Sequence, residues 1–128
     1  MAARFPPAFS VLVLVTSAGG FAGERGNPVA GQVTYLQECV ACHGPEGRGN
    51  GPTAARLQPK PANFWERGES TEDKQIRVVT NGGEAEELSP NMPSFEDALT
   101  PQQIRDVVAF VRERFPTVRA PMDATSKK

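Results

Sequence analysis

Between Gly44 and Pro61 the chain carries Gly44, Pro45, Gly47, Gly49, Gly51, Pro52, Pro59 and Pro61. Glycine loosens the backbone and proline removes a hydrogen-bond donor, so nothing more regular than a turn of helix at Thr53 to Leu57 is expected across this stretch. The whole chain of 128 residues contains twelve glycines and twelve prolines, and much of it must be loop. This length suits one domain.

Helices are expected on either side of the loop. Asn27-Pro28 supplies an N-cap and a first-turn proline, and Val29, Val33, Leu36 and Val40 then recur at i, i+4, i+7 and i+11, a stripe expected to face a core. Ser70-Thr71-Glu72-Asp73 fits a capping box for a short helix that carries Ile76 and Val79 and ends at Asn81-Gly82-Gly83. The last helix is the best specified. Thr100, Pro101 and Gln103 form a capping box, Leu99 and Ile104 are spaced as a hydrophobic staple, and Ile104, Val107, Val108, Val111 and Phe115 hold the helical period until Pro116. No strand pattern and no internal repeat is present, so the domain is expected to be all-α.

The first residues suit targeting. Arg4 precedes an apolar run from Ala8 to Val15 and the small residues Ala18, Gly19, Gly20 and Ala22, the order of a secretory signal. Residues 1–22 are expected to be removed after Ala22, with Ala18 the other site and an uncleaved anchor the weaker reading. Residues 23–116 then form the domain and 117–128 a polar tail. The mature chain would carry a net charge of −2 and lie in the periplasm. A near-neutral chain without a basic face does not suit nucleic acid.

Three short helices make a meagre core, and a large apolar prosthetic group would complete it. Cys39-Val40-Ala41-Cys42-His43 is the C-x-x-C-H pattern of covalent c-type haem attachment. Two thiols three positions apart on a helix can reach the two vinyl groups of one porphyrin, and the adjoining imidazole can approach its iron. A zinc site wants four ligands, normally with another Cys or His pair, and none exists outside this cluster, since His43 is the sole histidine and Cys39 and Cys42 the sole cysteines. A thioredoxin-like dithiol lacks its βαβ setting. A plain disulfide would leave the histidine and the thin core unexplained. For the other iron face, Met92 lies in the irregular stretch Leu88 to Phe95 between two expected helices, flanked by Pro90 and Pro93; Met122 in the tail is the alternative, and a role as core filler is the bland one. Leu57, Phe64, Ile76, Val79 and Phe95 are candidate pocket walls.

From Asn27 to Phe115 the chain resembles the class I c-type cytochromes, small bacterial monohaem proteins. Gly31 and Tyr35 match the family's glycine and aromatic on the first helix, Val107 and Phe110 the positions that pack across that glycine, and Met92-Pro93-Ser94-Phe95 the distal methionine segment. The resemblance implies a cytochrome c-like fold of three to five short helices, with long Gly/Pro-rich loops wrapped around one haem c bound through Cys39 and Cys42. It further implies His43 and Met92 as iron ligands, with the carbonyl of Pro52, in Gly51-Pro52, accepting the second ring proton of His43. Phe110 departs from the more usual tyrosine or tryptophan, the loop after His43 is short, and the acidic charge differs from the lysine-ringed mitochondrial carrier.

The function implied is one-electron transfer between larger redox proteins, without substrate chemistry and without membrane contact beyond partner complexes or an uncleaved anchor. A haem subunit of a multi-component dehydrogenase or oxidase is the alternative, and a haem enzyme or gas sensor with an open distal site a third. Arg56 and Lys60 are candidates for neutralising haem propionates. Residues Glu69 to Asp97 carry eight acids against Lys74 and Arg77, and Glu84, Glu86 and Glu87 are the candidate docking acids for a basic partner.

Overall fold

A computed structural model describes residues 25–68 and 70–116. These fold as α1 (Pro28–Thr34), a π-helical turn (Tyr35–Cys39), α2 (Val40–His43), a 3-10 turn (Ala54–Arg56), α3 (Glu72–Asn81), a second 3-10 turn (Glu84–Glu86) and α4 (Pro101–Arg114), with no strand among the described residues. The expected signal, the tail and Met122 lie outside them.

α1 and α4 begin where their capping chemistry says, whereas α3 begins one residue later than the expected Ser70–Asp73 box, with Thr71 as its N-cap. Asn27 Oδ1 accepts from the amides of Val29 at 3.0 Å and Ala30 at 3.3 Å. On α4 both halves of the capping box form, with the Gln103 amide donating to Thr100 Oγ1 at 3.2 Å and the Thr100 amide to Gln103 Oε1 at 2.9 Å. On α3 only one half forms: the Lys74 amide donates to Thr71 Oγ1 at 3.2 Å. The box fails there because Lys74 occupies the third helical position, and an ammonium group cannot accept the return bond. Gly82, at φ 85°, ends α3 in a conformation that a side chain disfavours.

The main interface is α1 on α4, and α3 also packs on α4. Gly31 makes the crossing close. A Cβ built there would collide with the Asp106 carbonyl and lie 2.8 Å from the Val107 amide nitrogen. The crossing is fastened at its start by the Asn27 amide, which donates to Asp106 Oδ1 at 2.7 Å, and by Gln102 Nε2, which donates to the same oxygen at 2.8 Å. Those bonds compensate a carboxylate that is buried between the helices.

This arrangement overturns the expected phase of the first helix. Val29, Val33 and Leu36 are 75%, 56% and 54% exposed, whereas Gly31, Thr34 and Tyr35 are buried. The apolar period is real but lies on the outer face, because the face that meets α4 was chosen for closeness rather than bulk. Val40 separates from that stripe and packs against the core, since its amide donates to the Tyr35 carbonyl across the π turn and so brings it to the buried side. The core itself is aromatic. Tyr35, Phe64, Val107 and Phe115 form the buried cluster, and the Phe115 ring centroid lies 5.5 Å from Tyr35 and 5.8 Å from Phe64.

Gly31→Ala should lower stability by about 2–3 kcal/mol through overpacking, although alanine is the better helix former. Gly68→Ala is the control, since no atom lies within 4 Å of a Cβ there. Equal thermal unfolding of the two variants would show that α1 and α4 do not meet backbone to backbone.

Candidate functional site

The aromatic cluster and the loops around it enclose a cavity of about 280 Å³. Cys39, Cys42 and His43 enter it from the end of the first helical segment, and Met92 from the loop between α3 and α4. Leu57, Phe64, Val79 and Phe95 line it as expected. Ile76 does not, because α3 presents Gln75, Val78 and Val79 to the cavity. Of the two candidate cations, Lys60 lines the cavity and Arg56 does not; Arg67 lies there instead, with its guanidinium 5.0 Å from the Phe64 ring centroid.

His43 is held on two sides. Its ring stacks on Phe64 at 4.5 Å, and its Nδ1–H donates to the Ala62 carbonyl at 3.1 Å. A carbonyl can only accept, so Nδ1 carries the proton and the Nε2 lone pair remains available. Burial lowers the imidazole pKa, the bond to Ala62 opposes that, and the Arg67 charge lowers it further; the ring is neutral at pH 7.

The Ala62 bond corrects the expected role of Pro52. The Gly51-Pro52 segment is spent on the other side of the helix end, where the Gly51 amide donates to the Cys42 carbonyl at 3.0 Å and the Thr53 amide to the Ala41 carbonyl at 3.0 Å. Those bonds satisfy carbonyls orphaned by the end of α2, and they leave Pro52 exposed and outside the cavity. The acceptor was missed because a backbone carbonyl has no side-chain signature. The available signal was Pro61-Ala62-Asn63-Phe64, where a proline-restricted backbone leads into the aromatic that stacks on His43.

No disulfide joins Cys39 and Cys42. Burial pushes Cys39 up to about 12, with smaller contributions from the Glu38 charge and Cys42. A redox dithiol needs a lowered pKa to supply thiolate, so this environment does not suit one. Cys42 Sγ lies 3.2 Å from Thr53 Oγ1, whose proton is directed to the Ala41 carbonyl at 2.8 Å.

The methionine loop is compact. The Gly83 amide donates to the Met92 carbonyl at 2.9 Å, the Leu88 amide to the Gly83 carbonyl at 2.8 Å, and Ser94 Oγ to the Thr80 carbonyl at 2.6 Å. Of the acids expected to dock a partner, Glu86 is engaged, with Arg77 Nε 3.2 Å from its carboxylate, while Glu84 and Glu87 are exposed. Glu69 lies outside the described residues.

Residues 28–114 match the sequence model of the cytochrome c family. Over 89 residues the chain is 33% identical to the cytochrome c subunit of an alcohol dehydrogenase (quinone) from Gluconacetobacter polyoxogenes, a match covering 66% of this chain and 18% of that protein. The counterpart from Komagataeibacter europaeus matches with the same identity and coverage. This chain thus spans about a fifth of the length of these curated relatives. Among solved structures, the reducing HAO-like protein complex of Kuenenia stuttgartiensis contains a similar chain, with TM-score 0.55, 29% identity and coverage of 66% of this chain and 40% of that one. Cytochrome cL from Methylophaga aminisulfidivorans is alike in fold at TM-score 0.50 and 17% identity, over 69% of this chain and 55% of its own. The protein belongs to the cytochrome c family.

Tyr35 Oη donates to the Gly44 carbonyl at 2.6 Å in a buried position, which pins the turn that follows His43. Tyr35→Phe should cost about 1–2 kcal/mol in denaturant unfolding. An unchanged unfolding midpoint would show that the turn is held by other bonds.

Proposed function

We propose that the chain is an exported monohaem cytochrome that carries one electron at a time between larger redox proteins. The observation that carries this reading is the convergence of Cys39, Cys42, His43 and Met92 on one cavity walled mainly by apolar side chains. Those residues fit haem c: two thiols not joined in a disulfide for the thioethers, one imidazole with Nε2 available, and the soft thioether sulfur of Met92 as the second ligand. Haem, when bound, supplies an iron that cycles between Fe(III) and Fe(II).

The chain's own residues do the rest. Ala62 and Phe64 fix the plane and tautomer of His43, so that its basic nitrogen is presented without a search among orientations. Val79, Phe95, Val108 and Val111 keep water from the centre. An apolar surround and a methionine ligand both favour the less charged Fe(II), and so raise the potential. Export rests on the signal-like order of residues 1–22, and N-terminal sequencing of protein recovered from the periplasm tests it. No helix among the described residues is long and apolar enough to cross a membrane.

A second reading makes this chain the haem subunit of a multi-component dehydrogenase or oxidase. It is favoured by relatives that are named as a dehydrogenase subunit and as part of an HAO-like complex. Purification from the source organism under mild conditions separates the two, since a subunit comes with its partner in fixed ratio and a free carrier comes alone.

Cys39→Ser combined with Cys42→Ser should abolish covalent haem and leave the chain largely unfolded, because the helices surround a cavity rather than a filled core. A haem-free double variant with native helicity and cooperative melting, measured by circular dichroism, would refute this. Met92→Ala should retain haem, bind carbon monoxide when reduced, and show a lower potential in redox titration. An unchanged axial-ligand spectrum would remove Met92 from the iron and turn attention to Met122.

A further inference from the structure

The cavity has two walls that come from distant parts of the chain. One is the segment Leu57–Ala62, which ends at the carbonyl that orients His43; the other is the loop that bears Met92. Among the described residues, a single side chain joins these segments by hydrogen bonds. Asn91 Nδ2 donates to the Gln58 carbonyl at 2.9 Å and approaches the Pro59 carbonyl at 3.3 Å, thirty-three and thirty-two residues away in sequence. The Asn91 backbone is itself fixed, because its amide donates to Ser89 Oγ at 3.1 Å. Asn91 immediately precedes Met92, so a movement of this loop segment away from the opposite wall has to break these bonds.

We infer that Asn91 is a positioning residue for Met92, a latch across the two walls that opposes loss of the methionine from the iron. The inference rests on the proposal that Met92 is the distal ligand. The rest of the loop is anchored to its own neighbours, at Thr80 on α3 and at Gly83 just after it, and those bonds survive if the loop swings with α3 as a body. The Asn91 bonds do not, since their acceptors lie on the opposite wall. Their two donor hydrogens come from one amide, so an isosteric Asn91→Asp removes both bonds without changing the volume of the residue.

A ligand that must displace the methionine binds in proportion to the population of the open loop. Removing the latch therefore raises its apparent affinity, by about tenfold for hydrogen bonds of ordinary strength. The probe is imidazole, titrated into oxidised holoprotein by absorbance. It is applied to the parent protein, Asn91→Asp, Asn91→Ala, Met92→Ala and the double variant Asn91→Ala/Met92→Ala. The Fe–S charge-transfer band is recorded before each titration.

The latch predicts that both Asn91 variants keep that band in the absence of imidazole and bind imidazole about tenfold more tightly than the parent. It also predicts that Asn91→Ala changes nothing in the Met92→Ala background, where no methionine remains to be displaced. Parent-like affinity in the single Asn91 variants, with tight binding by Met92→Ala, would overturn the latch and leave the ligation reading intact. An equal rise in both backgrounds would overturn it too, by showing a general loosening of the cavity. A parent protein that lacks the band and is unaffected by Met92→Ala would sink the ligation reading and the latch together.

Discussion

The contact of Gly31 with the backbone of α4 sets where everything else sits. With no side chain between them, α1 and α4 meet at the Asp106 carbonyl and the Val107 amide. Two consequences travel along the chain from there. Tyr35, one helical turn after Gly31, is driven into the space beside Phe110 and Phe115, with ring centroids 5.2 and 5.5 Å away. The end of the first helical segment is in turn placed over Phe64, so that the imidazole of His43 finds a flat aromatic surface 4.5 Å away. A side chain at position 31 would move the crossing, and the imidazole with it.

The cavity is built from pieces that do not depend on one another for their own shape. The His43 side is fixed by a backbone carbonyl and an aromatic stack, and the methionine side by bonds between its loop and the end of α3. Such a division gives each of the two groups local support on its own wall. It also concentrates the communication between the walls in few contacts, of which the Asn91 amide is one.

Much of this was legible in the residues. Capping chemistry located α4, and α3 to within one residue, since Thr100, Pro101 and Thr71 act through local geometry that needs no tertiary information. The C-x-x-C-H pentapeptide and the methionine segment pointed to a common pocket because few soft ligands exist in the chain. The facing of α1 was not legible from periodicity. Val29, Val33 and Leu36 give the stronger apolar signal, yet the helix turns its glycine inward, and a residue that contributes by having no side chain is invisible to a hydrophobic count. The hydrogen-bond partner of His43 was likewise hidden. Gly51-Pro52 looked suitable, but the chain leaving α2 first has to satisfy the open carbonyls of Ala41 and Cys42, and it reaches the imidazole only at Ala62.

The π turn at Tyr35–Cys39 has a consequence for how this segment tolerates insertion and deletion. A π turn is equivalent to one residue inserted into an α-helix, and each residue of an α-helix advances the direction of its side chain by about 100°. Deleting one residue from Leu36–Glu38 would restore an unbroken ladder and leave the local backbone content, in itself, in better order. Because the π turn Tyr35–Cys39 covers about the same angle with its extra residue as the α turn without it, Cys39, Cys42 and His43 would keep their direction relative to Gly31 and Tyr35. Leu36 and Gln37 are exposed and can change in identity. Regularising the turn to α with every residue kept would instead swing Cys39, Cys42 and His43 by about 100°, so the geometry of the turn rather than the number of its residues aims the thiols at the cavity.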